Sequence, residues 1–282
     1  MEIIIQNQNT KAVIKTKGAE LSSLQKDGKN YIWEVNPDFW NKTSPILFPI
    51  VGALKNGEYQ FKDTMYQLPR HGFARDFEFE VVEKTENSVV FSLKSSEETW
   101  KVYPFNFELK ISYVLENNTL IVKYDIINHS SEEMYYSIGA HPAFAIEGNF
   151  EEYSLIFDEE KDLETHQLNQ DLFSGKTEII RLDGMVLPLK YHLFEQDALV
   201  FKNFATKSLT LAKNNEPVMK VEFPEFPYLG IWTKKDAPFI CIEPWLGIAD
   251  NASASGNLTE KEGIQILEPN AKKSVFWTVE LF

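Results

Sequence analysis

The stretch FELKISYVL, residues 107–115, decides the fold class. Phe107, Leu109, Ile111, Tyr113 and Leu115 are every second residue of it, with polar or smaller residues between. A period of two puts one apolar face on a core and one polar face on water, which is the pattern of an antiparallel strand. The same alternation recurs in both directions along the chain. It is seen in EYQF (Tyr59, Phe61), in FEFEV (Phe77, Phe79, Val81) and in VFWTVEL (Val275, Trp277, Val279, Leu281). Strand-like runs return roughly every 8–15 residues, separated by turn signals such as KDGKN, LENNT and AKNNEP. Helical signal is thin. NPDFW, residues 36–40, offers Asn36 as an N-cap and Pro37 at the first helical position, which predicts one or two turns. No stretch sustains a 3.6-residue period. The expected fold class is therefore all-β, a large antiparallel β-sandwich of two packed sheets. No Pro/Ser-rich linker or internal repeat interrupts it, so residues 1–282 read as one domain. The acidic run FDEEKDLETHQLNQD reads as an exposed connection.

Composition narrows the function. The chain has 282 residues and a net charge of −14. That balance repels phosphate backbones and anionic lipid, so neither nucleic acid nor a membrane surface is an expected partner. Aromatic residues make up 13% of the chain. Most belong in a core, and the rest are available as stacking platforms for the C–H face of a sugar. Cys241 is the one cysteine, which leaves neither an internal disulfide nor a thiolate metal cluster. The opening MEIIIQNQNTKAVIKTKG lacks a basic segment followed by a long apolar one. No apolar run approaches the ~20 residues of a membrane span. A cytoplasmic location is expected.

Four stretches depart from plain strand and turn. LPRHGFARDFEF holds Arg70, His71 and Arg75 between Pro69 and Phe77. It reads either as a solvated loop or as a site for an anion or sugar hydroxyl, because arginine offers a fork of donors. In YYSIGAHPAFAI, a strand over residues 135–140 puts Tyr135, Ser137, Gly139 and His141 on one face. Gly139 then leaves space beside His141, and Pro142 ends the ladder. His141 is thus either a structural histidine at a strand end or a functional one. In APFICIEPWLGIAD, Pro238 opens a strand and Pro244 closes it. Phe239, Cys241 and Glu243 share a face, with Trp245 adjacent. Burial of Glu243 there makes it a proton acceptor near neutral pH, and the alternative is a surface glutamate. SPILFPIVGALKNGEYQF, residues 44–61, reads as a buried crossover. Cys241 has no basic neighbour and reads as an inert core thiol. His129, His166 and His192 read as surface residues. No nucleophile elbow, phosphate-binding loop, zinc-protease motif or dinucleotide fingerprint is present.

Taken in order, LFPIVG, RHGFAR, GAHPAF and CIEPWLGIAD, with FPYLGIWTK between the last two, resemble the aldose 1-epimerase (galactose mutarotase) family, in its LacX-like branch. The resemblance spans the whole chain. It implies the galactose mutarotase-like supersandwich and a cleft over one sheet. It also implies Glu243 as general base, His141 as general acid, and His71 as a second, sugar-binding histidine. Arg75 resembles an arginine that contacts substrate in relatives acting on hexose 6-phosphates, and Asp197 a sugar-binding aspartate. Trp245 beside Glu243 is a further substrate-binding candidate. The sequence departs from the family at Ala53, where an arginine is common. That departure lowers the expected activity on ordinary hexoses unless Lys55 or Arg75 turns toward the sugar.

These readings lead to one expectation. The protein is an isomerase that interconverts the α and β anomers of a hexose or hexose phosphate by acid–base ring opening. It needs no metal or cofactor and acts as a monomer or homodimer. The alternative is a non-catalytic carbohydrate-binding protein on the same fold. A hydrolase would need two carboxylates about 5–10 Å apart, and the sequence offers Glu243 with only Asp197 as a second.

Overall fold

The structure is a computed structural model and describes residues 1–159 and 162–282. It is all-β, built on two large antiparallel sheets and a four-stranded one. The alternating stretch that opens the analysis forms the strand Phe107–Glu116. It pairs along its whole length with Thr119–Asn128, which in turn pairs with Lys272–Leu281. These three lie in the middle of a nine-stranded sheet. Their inward residues, among them Phe107, Ile111, Tyr113, Trp277 and Val279, are buried. The turn signals also fold as hairpins. Asp27 and Gly28 (φ 50° and 85°) turn Leu21–Lys26 into Lys29–Asn30, and Asn214 and Asn215 (φ 50° and 69°) turn Ser208–Lys213 into Glu216–Glu222. Two successive positive φ values match the strand twist, and Asp, Asn and Gly tolerate them best.

Three local expectations change in the folded chain. FEFEV does not form one ladder, because the strand there is Glu80–Lys84. The backbone of residues 77–79 is taken instead by the connection between Thr10–Lys15 and Leu21–Lys26 of the four-stranded sheet, through Gly18 N–H to Phe77 O and Phe79 N–H to Thr16 O. The acidic run is not a plain connection, since Asp162–Asn169 is a strand paired with Leu172–Arg181. Leu163 and Thr165 point inward there and the charges outward. Glu160 and Lys161 of that run lie outside the described residues. NPDFW forms a single turn, in which Asn36 Oδ1 accepts from Asp38 N–H and Asn36 O accepts from Trp40 N–H.

The second large sheet positions the chemistry. Its strand Phe239–Leu246, paired on both sides, is buried at every position. Ile240, Ile242 and Leu246 join the main core, which runs from Ile3 to Leu281. Phe239, Cys241 and Trp245 belong to two smaller apolar clusters on the opposite face. Glu243 shares that face by alternation. Pro244 does not end this strand, and Leu229 still pairs opposite it.

Beyond the strand, a buried ion pair ties three segments together. Lys261 Nζ lies 2.6 Å from Asp250 Oδ1, with both side chains almost wholly buried. Asp250 Oδ2 accepts from Lys55 N–H, Asp250 N–H donates to Ala53 O, and Asp250 O accepts from Phe173 N–H. Removing one partner of such a pair strands a buried charge. We therefore expect Lys261→Ala to lower stability by about 3–5 kcal/mol, measured as a shift of the urea midpoint. The double variant Lys261→Met/Asp250→Asn should recover more than half of that loss. An unchanged midpoint in Lys261→Ala would show that the pair is not a structural tie.

Candidate active site

The strands Ile138–Gly139 and Ala143–Ala145 both pair with Phe239–Leu246. Their registers, Gly139 with Trp245 and Ala143 with Cys241, belong to one continuous antiparallel alignment. His141 therefore sits directly opposite Glu243. The strand expected over residues 135–140 is broken at Ser137, whose preceding residues pair elsewhere, with Gln265–Leu267. The ladder on either side of His141 keeps only half its bonds. Ala140 N–H donates to Pro244 O and Ile242 N–H to Pro142 O, while the prolines return none. His141 and Glu243 occupy the position between these two half-bonded pairs. Such a non-hydrogen-bonded position brings side chains closest.

His141 Nε2 and Glu243 Oε2 are 3.3 Å apart, and the two side chains are 12% and 2% exposed. They are not aligned as a hydrogen bond, so Glu243 Oε2 has no partner, and neither has His141 Nδ1. The imidazole is held by stacking. Trp40 lies over it at 4.9 Å and 27°, while Trp232 and His71 meet it edge-on at 5.9 Å. On the other side of Glu243 the cross-strand neighbour is Gly230. Gly139 does not make room for a ligand, as its sequence position implied. A Cβ there would lie 2.6 Å from Trp245 Cδ1, and one at Gly230 would lie 2.5 Å from Trp245 Cζ2. The two glycines are the bed on which the Trp245 indole lies flat across the sheet.

His71 reaches the same place from a loop. It and Gly72 both adopt φ 69°, and the non-glycine residue bears a cost on the order of 1–3 kcal/mol. The buried crossover holds it there: Gly52 O accepts from His71 N–H at 2.8 Å, and His71 Nδ1 accepts from Gly52 N–H at 3.1 Å. Arg70 Nε donates to His71 Nε2 at 3.1 Å, and its Nη1 is paired with Asp171. A neutral imidazole accepts at only one ring nitrogen, so the Gly52 and Arg70 bonds belong to the two tautomers of His71.

His71, Arg75, His141, Asp197, Glu243 and Trp245 all line one cavity of about 370 Å³. That is within the range of small-molecule sites. Lys55 does not line it. Its Nζ is bonded to Ala254 O at 3.0 Å, so it does not turn toward the cavity. A larger surface groove of about 760 Å³ is lined mainly by loop asparagines and lacks histidine and aromatic groups, so the chemistry belongs to the smaller cavity. Arg70, from the stretch read as a possible anion or sugar site, also lines the cavity, and so do Trp40, Phe173 and Trp232, which sequence reasoning missed. These three come from a turn and two strands far apart in sequence, and no local pattern joins them. It also expected no metal-ligand set, whereas ligand atoms of His141, Cys241 and Glu243 lie within 4.8 Å of one another.

A family model described as aldose 1-epimerase matches residues 1–265. The chain belongs to the aldose 1-epimerase family. Among its aldose 1-epimerase relatives, the chromosomal LacX protein of Lactococcus lactis subsp. lactis is 34% identical over 301 residues, 99% of each chain. A galactose mutarotase related enzyme from Lactobacillus acidophilus is 33% identical, with a TM-score of 0.95 over 100% of this chain and 97% of that one. A galactose mutarotase-like protein from Lactobacillus casei ATCC 334 is 32% identical, with a TM-score of 0.94 over the whole of both chains. Membership places the chain among isomerase-type enzymes that act on small sugars.

In this aldose 1-epimerase fold, burial dominates the electrostatics. It pushes the Glu243 carboxyl well above its usual range, with Arg70 opposing and Asp197 adding to the rise. Burial lowers His141 to about 3, helped by Arg70 and Arg75. It also drives His71 well below its usual value, with His141, Arg70 and Arg75 adding. The free pair is thus a carboxylic acid beside a neutral imidazole, carrying one proton. Unfolded, the two groups titrate near 4.5 and 6.5. As pH rises from 4.5 toward the raised Glu243 pKa, the folded carboxyl keeps a proton that the unfolded one loses, and this lowers stability. As pH falls from 6.5 toward about 3, the unfolded imidazole gains a proton that the folded one does not, and this too lowers stability. We expect Glu243→Gln to flatten the alkaline arm and His141→Asn the acid arm in urea unfolding across pH. An alkaline slope unchanged in Glu243→Gln would contradict the buried acid.

Proposed function

We propose that the protein is a mutarotase that interconverts the α and β anomers of a hexose or hexose phosphate. The observation that carries this reading is the His141–Glu243 pair, 3.3 Å apart at the buried wall of a sugar-sized cavity. Mutarotation needs one proton removed from the C1 hydroxyl and one delivered to the ring oxygen. In the ionised form of the pair, Glu243 accepts the first and His141 donates the second. The C1–ring oxygen bond breaks as the C1 carbonyl forms. The pair is left as acid and neutral imidazole, the form that burial favours. After rotation about C1–C2, the Glu243 carboxyl protonates the carbonyl oxygen while His141 takes the proton of the ring hydroxyl. The ring closes on the other face with no net proton change.

The remaining lining supports a sugar. Trp245, flat on its glycine bed, offers a ring face, and Arg70, His71 and Asp197 supply polar groups to the same cavity. In a protein of net charge −14, Lys42, Arg75 and Lys234 line the same cavity. With Arg70 they face Asp171, Asp197 and Glu243 in the same lining, and this local excess of cations favours an anionic sugar, with the guanidinium of Arg75 available to a phosphate oxygen beside its bond to Arg70 O.

Polarimetry on freshly dissolved α-glucose, α-galactose and their 6-phosphates tests the proposal. We expect catalysed anomerisation, fastest with a phosphorylated sugar. His141→Asn and Glu243→Gln should each lower it by about 100-fold or more while the folded circular dichroism is kept. Wild-type rates in either variant would remove that residue from its role. Sugar binding without any anomerisation would establish a carbohydrate-binding protein instead.

A further inference from the structure

We propose that Cys241, His141 and Glu243 form a binding site for a thiophilic divalent cation of the zinc type, and that the bound cation switches off the cavity by occupying its proton-transfer pair. Three observations converge on it. Cys241 and Glu243 are two residues apart on the same face of Phe239–Leu246, and His141 stands opposite Glu243 in the register. One ligand atom from each lies within 4.8 Å of the other two. Glu243 Oε2 and His141 Nδ1 are buried and have no hydrogen-bond partner, so turning either side chain toward a cation breaks no hydrogen bond at these atoms.

The donor set selects the metal. A sulfur, an imidazole nitrogen and a single carboxylate are the ligands of zinc and its neighbours, whereas magnesium and calcium take oxygen cages. Arms of about 2.0–2.3 Å in a tetrahedral site place ligand atoms roughly 3.3–3.8 Å apart. The widest pair here must therefore close by about 1 Å, within the reach of a side-chain rotation. With thiolate and carboxylate both ionised, a divalent cation leaves a neutral cluster. Trp33, Trp40, Trp232 and Phe239 pack around Cys241, and this apolar shell strengthens the metal–ligand attraction. Three protein ligands leave the fourth position facing the cavity, where Glu243 and His141 would otherwise meet the sugar. The inference goes beyond the mutarotase reading and rests on it only for the loss of activity.

The test uses the whole protein with Co²⁺ and Zn²⁺ as probes. Because Cys241 is the one cysteine, any thiolate-to-Co²⁺ charge-transfer band reports this residue, and exposed histidines cannot imitate it. We expect one Co²⁺ per chain with that band, displaced by Zn²⁺ and not by Mg²⁺ or Ca²⁺. Zn²⁺ should also inhibit anomerisation reversibly, with activity restored by a chelator. Cys241→Ala, which leaves the acid–base pair in place, should lose the band and need at least about tenfold more Zn²⁺ for the same inhibition. If that variant does not fold, Glu243→Gln should weaken Co²⁺ binding by a similar factor. The proposal is overturned if folded wild type shows no band, or if Zn²⁺ inhibits Cys241→Ala as it does wild type. The band is read without sugar, so its absence is distinct from a failure of the mutarotase reading.

Discussion

Two prolines set the geometry on which the rest of the site depends. Pro142 and Pro244 lie on adjacent strands, one residue from His141 and Glu243 respectively. Each removes one N–H from the ladder, so the hydrogen-bonded positions on either side of the pair are only half made. The register nonetheless runs through unbroken. An imidazole and a carboxyl are thus held face to face at a non-hydrogen-bonded position, where the spacing between strands is smallest. Because Phe239–Leu246 is buried on both faces, the pair is also shielded from water, and burial rather than a neighbouring charge governs its protonation.

The surrounding structure holds what this arrangement strains. Two buried ionisable groups without aligned hydrogen bonds are unfavourable in isolation. His71 adds a left-handed backbone. The counterweight is the apolar core, which extends through all the large sheets, and a set of ties at the cavity edge. The Asp250–Lys261 pair anchors the Ala53–Lys55 turn and the start of Leu172–Arg181 together. That turn follows Gly52, whose carbonyl and N–H hold the backbone and ring of His71. The position of His71 in the cavity therefore depends on an ion pair that never touches it.

Aromatic residues do two kinds of work in this protein. Those of the nine-stranded sheet, such as Phe107 and Trp277, fill the core. Those of the cavity are oriented: Trp40 stacks on His141, and Trp245 lies across Gly139 and Gly230. The orientation of Trp245 comes from what its neighbours lack. A Cβ at either glycine would collide with the indole where it now lies.

The sequence by itself determined the all-β class, because alternation at residues 107–115 and 275–281 states which face is buried without reference to any distant residue. It determined the hairpin turns, where Asp, Asn and Gly accept positive φ. Through its ordered motifs it also marked His71, His141 and Glu243 as departures from ordinary strand. Only the tertiary structure decided what those departures mean. Register across separate strands placed His141 opposite Glu243. Long-range packing brought Trp40, Arg70, Phe173 and Trp232 into the cavity and directed Lys55 away from it. Gly139 illustrates the difference. A glycine in a strand announces a close approach, but the approaching group, here the Trp245 indole, comes from another strand more than a hundred residues away. Local physics reads faces and turns, whereas neighbours across a sheet are fixed only when the whole chain has chosen its register.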